Sequence, residues 1–153
     1  TLANAATHGA GSRRVVLAGH SAGGHLVAAV MAAERERLRV DPARIAGAVP
    51  ISGIVDFSPL PLFSGNADLH LDADAARTLD LHQRQPTLGA PVLVAVGGAE
   101  SSEFIRQSRL LADRWSAQVR DLLVVPDRHH FSVLDAFADP GEPLHAQTLA
   151  LFR

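Results

Sequence analysis

A serine bracketed by glycines, Gly19-His20-Ser21-Ala22-Gly23, joins an apolar run, Val15-Val16-Leu17-Ala18, to a segment apolar along one side, residues 22–38. The physical demand behind that pattern is narrow. A serine raised on a tight strand-to-helix turn has a strained backbone, and side chains two positions away on either side would collide. Gly19 and Gly23 are expected to remove those collisions. The same turn leaves the Ala22 N–H at a helix N-terminus, where hydrogen bond and helix dipole would together stabilise an oxyanion. Ser21 is therefore the candidate nucleophile and Ala22 the candidate oxyanion donor. A dinucleotide loop is the rival, since Gly19, Ser21 and Gly24 imitate G-x-G-x-x-G. That fold wants an acidic residue at the C-terminal end of the next strand. Asp41 precedes the strand that starts near Arg44, so the match fails on position.

Four apolar runs read as buried strands: residues 14–18, 44–52, 91–96 and 121–125. None alternates with period two, as expected of strands covered on both faces. Helical segments lie between them. Phe104, Ser108, Leu111 and Trp115 fall on one amphipathic stripe, with Ser101 or Ser102 placed to cap its start. Val133, Leu134 and Phe137 predict a short helix before Pro140, and residues 144–152 a final one. Strand–helix–strand order predicts an α/β fold with a parallel sheet and right-handed crossovers. Residues 56–86, opening with Pro59 and Pro61, predict an excursion of short helices after the second strand, a common place for substrate-contacting structure.

Composition removes several function classes. Of 153 residues, 47% are hydrophobic and 20% charged, which suits a globular chain and not a disordered one. A net charge of −2 leaves no electrostatic footprint for nucleic acid. All 14 basic residues are arginine, which excludes a phosphate-loop lysine and a Schiff-base lysine. Without cysteine there is no disulfide framework or thiolate chemistry, and a reducing compartment fits. No basic-then-apolar leader opens the chain, and the longest apolar stretch, residues 45–55, is too short to span a bilayer. A cytoplasmic location without membrane partners is the expectation.

A nucleophilic serine needs a base and an orienting acid, which follow an elbow of this kind in the order carboxylate, histidine. Glu100, in the loop Gly97-Gly98-Ala99-Glu100 after the third strand, stands where sites collect in open α/β sheets. Its alternative role is a solvated residue near a helix start, which Glu103 fits better. Asp56, after the second strand, is a lesser candidate for the acid. Past the fourth strand, Pro126-Asp127-Arg128-His129-His130-Phe131 offers two histidines. His130 is favoured as base, with Phe131 anchoring the loop in the core and His129 turned elsewhere. No Cys and no H-E-x-x-H pair is present, so no metal site is expected.

The chain resembles the kynurenine formamidase (arylformamidase) branch of the esterase/lipase-like α/β hydrolases. The likeness runs through Gly19 to Leu26, then Ser52-Gly53-Ile54-Val55-Asp56-Phe57-Ser58-Pro59-Leu60. It continues in residues 92–115 and closes at His129-His130-Phe131-Ser132-Val133. The resemblance implies an α/β-hydrolase fold and a triad of Ser21, Glu100 and His130. It also implies cofactor-free hydrolysis of a small molecule, N-formylkynurenine, in tryptophan breakdown. Many relatives carry Asp where Glu100 stands, and either carboxylate can orient the histidine. Such enzymes also carry an H-G-G-x-W-type loop upstream of the elbow, and nothing like it occurs between Thr1 and Arg14. The expectation is one partial domain over residues 1–153, the C-terminal part of the fold with about four parallel strands flanked by helices. Losing an oxyanion donor costs about 10²- to 10³-fold in rate. A truncated, non-catalytic module for structure or interaction is therefore the alternative. Residues 15–17 would then form an open apolar edge, inviting a homodimer or other association.

Overall fold

The structure, a computed structural model, describes residues 4, 7–9, 14–38 and 41–153. Four parallel strands lie in the order β1 (Val15–His20), β2 (Ile45–Ile51), β3 (Val92–Gly97) and β4 (Val119–Val125). Every residue of β2 and β3 is buried. β1 and β4 are partly exposed, which corrects the expectation of four strands covered on both faces. Chain order and sheet order coincide, so only the two middle strands have neighbours on each side. Among the described residues no strand pairs with the outer side of β1.

The period-two geometry of β2 and β3 splits their side chains between two cores. On one face, Ala48, Val92 and Val94 pack with Val27, Ala28 and Met31 of α1 (Ala22–Met31) and Leu111 of α4 (Ser102–Arg114). On the other, Val49, Ile51, Leu93 and Ala95 meet Val133 and Ala136 of α5 (Val133–Ala138) and Leu144 of α6 (Pro143–Ala150). Each such fully buried Val or Leu contributes about 1.5–3 kcal/mol. The sheet is thus covered on both faces, and among the described residues its β1 edge carries no further strand.

α1 stops at Met31 rather than running on to residue 38. The Met31 carbonyl accepts from the Thr87 and Leu88 N–H groups, at 2.9 and 3.3 Å, and the Thr87 hydroxyl takes the Ala33 carbonyl. The returning segment at Thr87 and Leu88 therefore captures carbonyls that the next helical turn would need. The excursion after β2 carries a short turn of helix at Leu60–Leu62, α2 (Asn66–Leu69) and α3 (Ala73–Leu79). Buried Gln107 of α4 clamps its start: its Oε1 accepts from the Val55 and Asp56 N–H groups, and its Nε2 donates to the Asp56 carbonyl. The indole N–H of Trp115 donates to the Arg84 carbonyl at 2.8 Å and fixes its end. No helix among the described residues is long and apolar enough to cross a membrane.

Candidate active site

Ser21 caps α1 with φ 57° and ψ −118°, a left-handed backbone that a non-glycine residue holds only at a cost. Its N–H is spent on the Ile51 carbonyl at 2.9 Å, which ties the turn to β2. Gly19 is required: a Cβ there would stand 2.2 Å from the Gly23 carbonyl oxygen. Gly23 is not, since a Cβ at that position meets nothing within 4 Å, contrary to the expectation from the motif. The second steric need falls on Gly24, where a Cβ would lie 2.7 Å from Gly53 Cα, because the first turn of α1 rests on the chain leaving β2. Ala22, in that first turn, keeps an N–H without an intrahelical acceptor.

Glu100 closes a tight turn at the end of β3. Its side chain is 0% exposed, and three donors meet it. Oε1 accepts from the Gly97 N–H at 2.8 Å and the Ser52 hydroxyl at 2.5 Å, and Oε2 faces His130 Nδ1 at 2.6 Å. A carboxylate so surrounded fixes the proton on His130 Nδ1 and leaves Nε2 free to act as a base. Gly97 permits this closeness, because a Cβ there would lie 2.2 Å from the Arg128 carbonyl oxygen.

The loop after β4 is held by its polar groups. The Arg128 carbonyl accepts from the Ala99 N–H at 3.0 Å, and its guanidinium reaches Glu142 at 2.9 Å. His129 Nδ1 accepts from the Phe131 and Ser132 N–H groups, so it closes the turn that precedes α5. Phe131 is 73% exposed and does not anchor the loop in the core, which corrects the sequence reading. Phe104 from α4 does the packing instead, its ring stacked on His130 with centroids 4.2 Å apart.

Glu100 and His130 are thus hydrogen-bonded, and Ser21 lies at the same carboxyl end of the sheet. The link to the elbow is His20, whose Nε2–H donates to the His130 carbonyl at 2.6 Å and whose ring lies 4.4 Å from the His130 ring. Among the described residues no hydrogen bond joins the Ser21 hydroxyl to His130. Such bonds are commonly long in free enzymes and tighten when substrate binds.

Asp56 is occupied elsewhere. Burial alone would raise its pKa, but hydrogen bonds from Ser58 and Arg106 outweigh that and hold it low. Arg106 also binds Glu103, and the two carboxylates push its own pKa up. Among the described residues, ligand atoms of Asp56, Asp80 and His82 lie within 4.8 Å of one another, the geometry of a cation site. The Asp56 oxygens already hold Ser58 and Arg106, and those of Asp80 hold the Phe57 and His82 N–H groups. A cavity of about 580 Å³, lined in part by Ser58, Arg77, Asp80 and Arg84, opens beside α3, away from Ser21 and His130.

Sequence reasoning missed His20, Ser52 and the stacking role of Phe104. Ser52 had a readable signal: a polar residue closing the apolar run Ala48-Val49-Pro50-Ile51.

A profile of the alpha/beta hydrolase fold matches residues 1–86. The chain is 31% identical over 132 residues to a kynurenine formamidase of Salmo salar, covering 80% of this chain and 44% of that protein. Among solved structures, a candidate thioesterase from Silicibacter sp. TM1040 is 38% identical with a TM-score of 0.75, over 95% of this chain and 55% of that one. Esterase B of Lactobacillus rhamnosis is 18% identical with a TM-score of 0.65, over 97% and 57%, and shows the fold alone. The chain spans about half the length of these relatives.

Proposed function

Because this chain belongs to the α/β-hydrolase family, we propose that it carries the nucleophile, base and acid of a serine hydrolase for aryl formamides or small carboxylic esters. The observation that carries the reading is the buried Glu100 carboxylate 2.6 Å from His130 Nδ1, at the sheet end where the glycine-bound elbow raises Ser21. In this reading His130 Nε2 takes the Ser21 proton as Oγ attacks the formyl carbonyl carbon. The Ala22 N–H donates to the resulting oxyanion. The C–N bond then breaks, and His130 returns the proton to the departing amine. Water, deprotonated by the same imidazole, attacks the formyl-enzyme and releases formate. Glu100 holds the imidazole tautomer throughout and supports its transient positive charge. The likeness to a formamidase supports the formamide substrate.

The higher identity to a candidate thioesterase favours a second reading, a thioester substrate attacked by the same serine. A turnover panel of N-formylkynurenine, p-nitrophenyl acetate and an acyl thioester separates the two. Turnover of one class that disappears in Ser21→Ala supports the hydrolase reading; turnover unchanged by Ser21→Ala removes it.

A further inference from the structure

We infer that His20 is a positioning residue that sets the distance between nucleophile and base; the inference rests on the serine-hydrolase reading. Ser21 and His130 reach the site on separate loops, one after β1 and the other after β4, at opposite edges of the sheet. Strand pairing alone leaves their relative placement to two intervening strands. His20 closes that gap directly. It immediately precedes Ser21, and its Nε2 lies 2.6 Å from the carbonyl oxygen of His130 itself, across 110 residues of sequence. A carbonyl cannot donate, so Nε2 carries the proton and His20 is the donor. The rings meet with centroids 4.4 Å apart, and Phe104 stacks on His130 at 4.2 Å. The His130 imidazole therefore stacks on Phe104 and touches the tilted His20 ring while Glu100 fixes its Nδ1. Each freedom that would let the base drift from the serine is restrained by one of these contacts: backbone by the His20 N–H, ring tilt by the stacked Phe104, tautomer by Glu100.

Neutral His20 also suits the place. Its burial lowers its pKa, which avoids a second cation beside an imidazole that must become positive during the reaction. A lysine or arginine could donate to the same carbonyl but would oppose that charge.

The test is the rate of phosphonylation by a fluorophosphonate. Ser21 Oγ bonds phosphorus, the P–F bond breaks, fluoride leaves with its electron pair, and His130 takes the hydroxyl proton. His20→Phe keeps a ring against His130 but has no N–H; His20→Gln places an amide N–H near the Nε2 position. A displacement of about 1 Å costs about 10²-fold. His20→Phe is therefore expected to lower the maximal labelling rate by about 10²-fold with an unchanged half-saturating probe concentration, and His20→Gln to recover most of it. Equal rates in wild type and His20→Phe, or equal losses in both variants, would overturn the assignment. Ring ¹⁵N spectra of the wild-type chain read the bond independently of any variant's folding: a neutral His20 protonated at Nε2 supports it, and protonation at Nδ1 alone overturns it. A wild-type chain that phosphonylates no faster than Ser21→Ala would remove the hydrolase reading, and this one with it.

Discussion

Replacing Gly97 by alanine is expected to displace the His130 imidazole while leaving the sheet standing. Gly97 ends β3, is buried, and its added Cβ would sit 2.2 Å from the Arg128 carbonyl oxygen and 2.9 Å from its carbon. Real Cβ contacts do not fall below 3.0 Å, so the Arg128 carbonyl must retreat by about 0.8 Å. That carbonyl receives the Ala99 N–H and lies two residues before His130, so the retreat is transmitted to the imidazole. A displacement of this size costs about 10²-fold in rate, and the crowding costs about 1–3 kcal/mol of stability. The assay is the phosphonylation rate read beside a urea unfolding curve. Gly23→Ala is the matched control: its Cβ meets nothing within 4 Å, and alanine is favoured over glycine in a helix by about 1 kcal/mol. Gly97→Ala reacting within threefold of wild type, or Gly23→Ala losing as much as Gly97→Ala, would refute a displacement transmitted from Arg128 to His130.

Glu100→Gln is expected to lower turnover by about 10⁴-fold, the scale seen when an amide forces the wrong imidazole tautomer; a loss under tenfold, measured by ester hydrolysis, would show that Glu100 does not orient the base. Burial holds the pKa of His25 below 6.5, so just below that value the unfolded chain binds more protons than the folded one. Stability is then full above pH 6.5 and is lost as pH falls toward the folded pKa, and His25→Asn, which can still donate to the Ile54 carbonyl, should flatten that slope in urea titrations between pH 5 and 7. Among the described residues β1 has no strand on its outer side, and pairing of that edge with a second copy would give concentration-dependent association, reduced by Ala18→Lys at an exposed position of that strand; a wild-type chain that elutes as a monomer at every concentration would contradict such pairing.

The strands were legible because β2 and β3 are continuous apolar runs, and continuous runs are what strands buried on both faces require. The exposure of β1 and β4 was not legible, since it follows from sheet order, which local composition does not encode. The elbow was legible as a motif, but its sterics were not. Gly23 matches the pattern and has room for a side chain, whereas Gly24 is forced by the packing of α1 on Gly53, a contact distant in sequence. The pairing of Glu100 with His130 was legible from their position after strands. Of the partners that hold them, Ser52 left a trace as the polar residue closing an apolar run. The others did not: His20 looks like a variable motif position, and Phe104 like one member of an amphipathic stripe. Phe131 was misread because an aromatic beside a loop histidine suggests an anchor, while the loop is in fact held by the Arg128 carbonyl and guanidinium and by the His129 ring.

Peptide mapping by mass spectrometry after fluorophosphonate treatment tests the proposed pairing of Ser21 as nucleophile with His130 as base most directly. One adduct is expected, on the peptide bearing Ser21, and it fades to background when His130 is replaced by alanine. An adduct on another serine, or equal labelling of Ser21 with and without His130, would contradict it.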